Sequence, residues 1–428
     1  MRNQTACLNL ICILTILSSA MWGCGHIGSR KESARQIITA QQADSLEAMR
    51  RMANDLTSDA LAYADSICAT LPLQRKAAML LMPATFTRTD SYTINQVLVY
   101  ARDMGVGGLV LLKGSLSEAA VMIDSIYAVA PEGMFIAADA ENGLKMRFED
   151  APEFPWNREL GRLSDDQLMY EFGREIAREC RVVGINMILG PVMDIVPGEN
   201  YHGIMGKRSL GSNPDVVADL AIAYSKGVED GGVLTVAKHF PGHGSANHDS
   251  HKALGEVNSS RLQLDSIDLY PFRRYIREGL SGVMVGHLAV TALDTIRRPA
   301  IVSPVIMDHI LRRQLGFHGL ILTDAINMEG AMGIKAWQAI AAGADMVIAP
   351  TDTRAEIDAI VEAVKNGNLS EDIVNDRCRR ILFYRFLTGA NHKRTIRSQE
   401  DIKNRVNKFA PAIQDSIQKN LDPISKKI

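Results

Sequence analysis

The stretch Leu234-Thr235-Val236-Ala237-Lys238-His239-Phe240-Pro241-Gly242-His243-Gly244 begins as an apolar run and ends on charged residues, a proline and glycines. Its apolar part is near-continuous rather than alternating, the pattern of a strand buried on both faces of a parallel sheet. Seven other short runs share the pattern, at 79–84, 108–112, 134–140, 186–194, 282–289, 320–324 and 344–349. Segments able to form helices lie between them. One is 164–183, where Leu168, Phe172, Ile176 and Ala177 can share a helical face and Ser164 can cap it. Eight buried strands separated by helices predict an α/β fold of the (β/α)8 type, a closed TIM-like barrel formed as one domain. A doubly wound open sheet is the rival. It usually carries a glycine-rich phosphate turn after its first strand, and Met82-Pro83-Ala84-Thr85 is not one.

Polar residues stand at the ends of these runs. Asp139, Asp194, Lys238 with His239, and Asp324 close four of them, and His287 lies near the end of a fifth. In a barrel the carboxyl ends of all strands surround one mouth, so residues far apart in the chain converge there. Each alone could be a strand-end polar group capping the next helix; five together point to a site.

The 428-residue chain is 46% hydrophobic and 22% charged, which excludes disordered, collagen-like and disulfide-scaffold classes. Lys+Arg 47 against Asp+Glu 49 gives a formal charge of -2, and no long basic run occupies the body of the chain, so no nucleic-acid partner is expected. Residues 1–24 read as an export signal: Arg2, an apolar stretch at 8–17, then Ser18, Ser19 and Ala20. Cleavage after Ala20 competes with a lipoprotein-type cut before Cys24, although Met21 and Trp22 depart from the usual pattern of such a signal. The lipoprotein reading predicts an exported protein held to a membrane by lipid on Cys24, facing the periplasm or cell exterior. Residues 25–69 are expected to be a polar tether or helical lead-in, 70–388 the catalytic domain and 389–428 a polar tail. Beyond Cys24, the residues Cys68, Cys180 and Cys378 are odd in number and unpaired in spacing, which predicts no structural disulfide and gives no support to a thiolate zinc site.

The densest chemistry lies in Lys238 to Gly244 followed by Asp249-Ser250-His251. Glycines and a proline shape a turn, and an aspartate two residues before a histidine can hold one imidazole tautomer and raise its basicity for proton transfer. Metal binding by His243, His248, Asp249 and His251 is the rival reading, a weak one without a helical His-Glu-x-x-His pattern. No metal and no cofactor are expected.

These motifs resemble glycoside hydrolase family 3, within it the β-N-acetylglucosaminidase branch. The resemblance runs over about residues 70 to 388. It is carried by Lys238 to Gly244 with Asp249-Ser250-His251, by Leu322-Thr323-Asp324-Ala325-Ile326-Asn327-Met328, by Lys207-Arg208-Ser209-Leu210-Gly211, and by Asp139-Ala140-Glu141-Asn142-Gly143 with Arg147. It implies Asp324 as catalytic nucleophile, His251 as acid/base oriented by Asp249, and Asp139, Arg147, Arg208, Lys238, His239 and Met328 as the sugar-binding set. Asn142 departs from the family pattern, which usually has a glycine there. The second α/β domain that many members carry has no room in the 40 or so residues after Leu387.

The implied reaction is retaining exo-hydrolysis of terminal β-linked N-acetylglucosamine from peptidoglycan fragments or other glycans. Asp324 attacks the anomeric carbon, and His251 protonates the leaving oxygen. Lys238 and Arg208 are expected near Asp324, keeping it ionised. Three alternatives stay open at this level: a family 3 β-glucosidase, a metal-dependent hydrolase on the same barrel, and a sugar-binding lipoprotein without catalysis.

Overall fold

A computed structural model describes residues 40–130, 132–198, 201–244, 246, 254–390 and 399–425. The expected export signal with Cys24, and the Asp249 and His251 of the acid/base motif, lie outside the described residues.

Eleven strands are formed by the described residues: β1 (Leu81–Met82), β2 (Ala84–Thr87), β3 (Gly108–Gly114), β4 (Phe135–Ala138), β5 (Met187–Ile188), β6 (Leu234–Phe240), β7 (Gly255–Glu256), β8 (Gly282–Val285), β9 (Leu288–Ala289), β10 (Leu320–Thr323) and β11 (Val347–Ile348). Seven of them build one parallel sheet in the order β10-β8-β6-β5-β4-β3-β2. β4, β6, β8 and β10 are buried along their whole length, as their unbroken apolar sequences require. The sheet curls as a half-barrel within an α/β fold. The closed (β/α)8 ring expected from eight apolar runs is not one continuous ladder, because β1 and β11 are two residues each and pair with one another as a separate parallel ribbon. Single contacts flank that ribbon. Leu322 bridges Met346 beyond β10, and the Gly107 amide donates to the Leu81 carbonyl at 2.9 Å before β3.

Helices follow the strands. Asp166–Val183 begins one residue later than a Ser164 cap would place it, because Asp165 accepts the Leu168 amide at 3.1 Å. This helix crosses Pro214–Asp230 at two glycines: a Cβ on Gly173 would meet the Tyr224 carbonyl oxygen at 2.2 Å, and one on Gly227 the Tyr170 carbonyl oxygen at 2.0 Å. Only glycine permits that approach. Phe154, Phe172 and Tyr224 continue the contact with ring centroids 4.9 and 5.5 Å apart.

Within the expected polar lead-in, Ala40–Thr70 is a helix that lies on Glu371–Thr388. The stretch expected as a polar tail contains two helices, Gln399–Val406 and Ala410–Ser425. They bury Ile402, Val406, Ala410 and Ile417 among surface charges, and burial of such apolar side chains at wide spacing is enough to dock a helix whose composition reads as solvated.

The amino ends of the strands hold charge without an opening to the site. Asp345, fully buried before β11, accepts from the Ile321 amide at 2.7 Å and pairs with Arg312 and Arg380, the latter at 2.5 Å. Glu229, also buried, accepts from the Ser281 hydroxyl at 2.8 Å and the Ser281 amide at 3.0 Å, and takes a hydrogen bond from Thr235.

Candidate active site

At the carboxyl ends of the strands a cavity of about 400 Å³ is lined by Asp139, Glu141, Arg147, Arg208, Lys238, His239, Asp324 and Met328, with Ala84, Leu112, Met284 and Ala349 among its apolar walls. That size is at the low end of the roughly 300–1,000 Å³ typical of small-molecule sites. Every sugar-binding residue implied by the sequence motifs, and the implied nucleophile, therefore shares one chamber.

Asp139 follows β4. The chain then turns through Gly143, whose φ of 106° is left-handed. A short 3-10 turn, Leu144–Met146, returns Arg147 over the Asp139 carboxylate, donating from Nε at 3.1 Å. Lys238 comes from β6 and places Nζ 2.6 Å from Asp139 and 2.8 Å from Glu141. Arg208 arrives on the loop before Pro214–Asp230, with its backbone carbonyl held by the Asn157 amide group at 2.7 Å. Its guanidinium grips Glu141 through Nη2 at 2.7 Å and Nε at 2.9 Å. Burial alone would raise the carboxyls of Asp139 and Glu141, but Lys238 with Arg147 for the first and Lys238 with Arg208 for the second outweigh it. Asp139 lies well below the ordinary carboxylate range and Glu141 at about 2. Three cations and two carboxylates thus form one fixed array of charged donors and acceptors, suited to the many neutral hydroxyls of a sugar.

His239 is set by Asp194, whose Oδ2 lies 2.7 Å from Nδ1. The other oxygen of Asp194 accepts the His243 amide at 2.7 Å. Burial is again outweighed, here first by His239, and Asp194 is ionised down to about 2. An ionised carboxylate accepts, so Nδ1 of His239 carries a hydrogen and the ring is held in one orientation toward the cavity. Asp194, one of the polar residues closing an apolar run, both fixes the loop and orients this ring.

Asp324 ends β10. Its amide donates to the Val285 carbonyl at 2.8 Å, and its carboxylate accepts the Ala325 amide at 2.8 Å. Its carboxyl is lowered despite burial, by His287 first, then His239, the Ala325 amide and Lys238. This corrects the expectation about its neighbours: Arg208 is committed to Glu141, and the histidines exceed Lys238 in holding Asp324 ionised. His287 is fully buried, and its Nε2 lies 2.9 Å from the Ala325 carbonyl, steadying the turn that carries Asp324. The backbone of His287 also accepts the Gly255 amide at 3.2 Å, which ties down the chain just after the Asp249-Ser250-His251 motif.

Two residues in this site had no assigned role in the sequence. Glu141 is the common partner of Lys238 and Arg208. His287 supports Asp324. His287 was marked by its place near the end of an apolar run, whereas Glu141, three residues past β4, carried no signal beyond its place in the quoted motif. Asn142, the departure from the family pattern, is buried with its amide group donating to the Phe154 carbonyl at 3.3 Å, outside the cavity lining. His243 is buried and held below its ordinary histidine range by burial. Among the described residues no cluster of His, Cys, Asp or Glu could hold a metal ion.

A strand-end carboxylate held ionised beside a rigid charged array thus shares a chamber the size of one small polar ligand. The family model described as glycosyl hydrolase family 3 N terminal domain matches residues 73–383, and the chain belongs to that family. It is 36% identical over 262 residues to a β-hexosaminidase of Neisseria meningitidis serogroup C (strain 053442), a match covering 58% of this chain and 72% of that protein. Among solved structures it is similar to a family 3 β-N-acetylglucosaminidase from Paenibacillus sp. str. FPU-7, with a TM-score of 0.71 and 27% identity over 79% of this chain and 68% of that one. It is also similar to a family 3 glycosyl hydrolase from Mycobacterium smegmatis str. MC2 155, with a TM-score of 0.67 and 30% identity over 74% of this chain and 98% of that one. The protein is a glycoside hydrolase.

Proposed function

We propose that the protein is a retaining exo-β-N-acetylglucosaminidase that releases terminal β-linked N-acetylglucosamine from peptidoglycan fragments or other glycans. The observation that carries this reading is the placement of ionised Asp324 on the wall of the cavity that Asp139, Arg208 and Lys238 also line. Asp324 attacks the anomeric carbon while His251, oriented by Asp249, protonates the departing oxygen. Neutral His251 then takes a proton from water, and the resulting nucleophile cleaves the glycosyl-Asp324 ester. Preference for the 2-acetamido sugar is supported by the Asp249-Ser250-His251 motif and by the names of the relatives.

Further parts belong to the same reading. The curled sheet closes as a (β/α)8 barrel through β1 and β11, supported by the Val347 amide donating to Leu80 at 2.8 Å and the Thr323 amide donating to Met346 at 3.0 Å. The catalytic unit spans 70–388. The mature chain is exported and anchored by lipid on Cys24, which membrane fractionation of wild type against Cys24→Ser tests.

The function is tested with purified protein and a panel of nitrophenyl β-glycosides, following the anomer first released by NMR. N-acetylglucosaminides should turn over fastest and release the β anomer first. His251→Ala should lose a factor of about 10² to 10⁴ on a natural disaccharide, and less on an aryl glycoside whose leaving group needs no proton. Faster turnover of β-glucosides would sink the specificity, and initial release of the α anomer would sink the double displacement.

A further inference from the structure

Helices Ala40–Thr70 and Glu371–Thr388 meet at three places that fix their register. The Tyr63 and Phe386 rings lie 5.3 Å apart, Asp65 pairs with Arg379 at 2.9 Å, and Sγ of Cys68 lies 3.7 Å from the Asn375 carbonyl. The first partner rises through 63, 65 and 68 while the second falls through 386, 379 and 375, so the helices run antiparallel. Asn375 is three residues before Cys378, about one helical turn, which puts Cys378 on the face that Cys68 approaches. The Cys378 thiol acts on the Cys68 thiol more strongly than any other group does, and its Sγ also lies 3.5 Å from Met79 Sδ. Both cysteines are buried and free.

We propose that Cys68 and Cys378 are a redox pair that closes to a disulfide when the protein meets a small disulfide oxidant such as oxidised glutathione. Cys68 thiolate attacks one sulfur of the oxidant, whose S–S bond breaks and releases one glutathione. Cys378 thiolate then attacks the Cys68 sulfur and expels the second. Two protein thiols lose two electrons, one glutathione disulfide gains them, and the two protons leave on the glutathione thiols. Cys68 is suited to the first attack: the Cys378 thiol hydrogen-bonded to it lowers its pKa, and Lys76 and Arg379 add positive charge, against the opposing effect of burial. The cross-link would enclose every strand of the sheet, tying the first described helix to the second helix after the last strand. A bridge across so long a loop stabilises chiefly by restricting the unfolded chain. The odd cysteine count and the spacing give no hint of this pair, because the partners are brought together only by the two helices.

The test uses the full chain. Native protein, and protein refolded from denaturant, are each incubated with glutathione disulfide, alkylated under denaturing conditions and mapped by mass spectrometry. A Cys68–Cys378 linked peptide is expected with Cys180 still alkylated. The thermal midpoint should rise by several degrees and return with dithiothreitol. Cys68→Ala and Cys378→Ala should each abolish that rise without altering glycosidase turnover, since neither side chain lines the cavity. Full alkylation of both cysteines in both arms, glutathione mixed disulfides without the linked peptide, or a rise that persists in both variants would overturn the proposal.

Discussion

The two ends of the parallel sheet handle buried charge in opposite ways. At the carboxyl ends, Asp139, Glu141, Lys238 and Arg208 neutralise one another yet border an open cavity, so their hydrogen-bonding capacity faces an incoming ligand. At the amino ends, Asp345 is enclosed by Arg312, Arg377 and Arg380, while Glu229 has hydroxyl and amide partners. The first arrangement fixes charges for chemistry; the second locks strands and helices together. If that division is right, removing a carboxylate should damage turnover at one end and stability at the other.

The largest effect is expected at Asp324. Asp324→Asn keeps the shape and the Ala325 hydrogen bond but cannot form the glycosyl ester, so kcat should fall by about 10³-fold or more. The unfolding midpoint in denaturant should change little. A collapsed folding transition would assign Asp324 to the structural end of the comparison instead.

Asp345→Asn is the mirror experiment. It leaves three guanidinium groups around a neutral amide in a buried place, and breaking a buried ion pair from one side costs roughly 3–5 kcal/mol. Chemical denaturation should register that loss, while kcat per folded molecule should be unchanged. Unaltered stability would mean that the arginines find other partners and that the cluster is not a lock.

How much of this contrast is legible in the sequence follows from how each residue is marked. Continuous apolar runs announced the buried strands, and a polar residue closing such a run announced Asp139, Lys238, His239 and Asp324, because strand ends converge whatever the helices between them do. Pairings are a different matter. Glu141 meets Arg208 across 67 positions, and Lys238 meets Asp139 across 99; no local pattern says that Arg208 serves Glu141 rather than Asp324. The ribbon of β1 and β11 was visible as two apolar runs but not as strands of only two residues, since length is set by the pairing partner. The docking of the last two helices was hidden by polar composition, with a few apolar residues such as Ile402 and Ile417 making the contact.

The smallest effect separates the two ends by pH. Burial pushes the Glu229 carboxyl up to about 7, against the hydrogen bonds from Thr235 and Ser281, whereas Glu141 at the other end is driven down to about 2. The signs therefore differ. A carboxyl raised in the folded state binds its proton more tightly there, so its contribution is complete below its unfolded value near 4.5. It is lost as pH rises towards 7, at about 1.4 kcal/mol per unit at the steepest. Glu141 contributes in full above its unfolded value near 4.5 and loses that contribution as pH falls from there towards 2. Glu229→Gln keeps size and acceptor capacity without a titration: its oxygen can still accept from the Ser281 amide and the Thr235 hydroxyl, and the Ser281 hydroxyl can rotate to accept from the new amide group. Urea unfolding of both proteins at intervals from pH 4.5 to 8 should give curves that separate as pH rises, by about 1–3 kcal/mol in favour of the variant, and then run parallel above pH 7. Curves parallel throughout would place the Glu229 titration outside this range and leave the amino end of the sheet without a pH-sensitive carboxyl at this position.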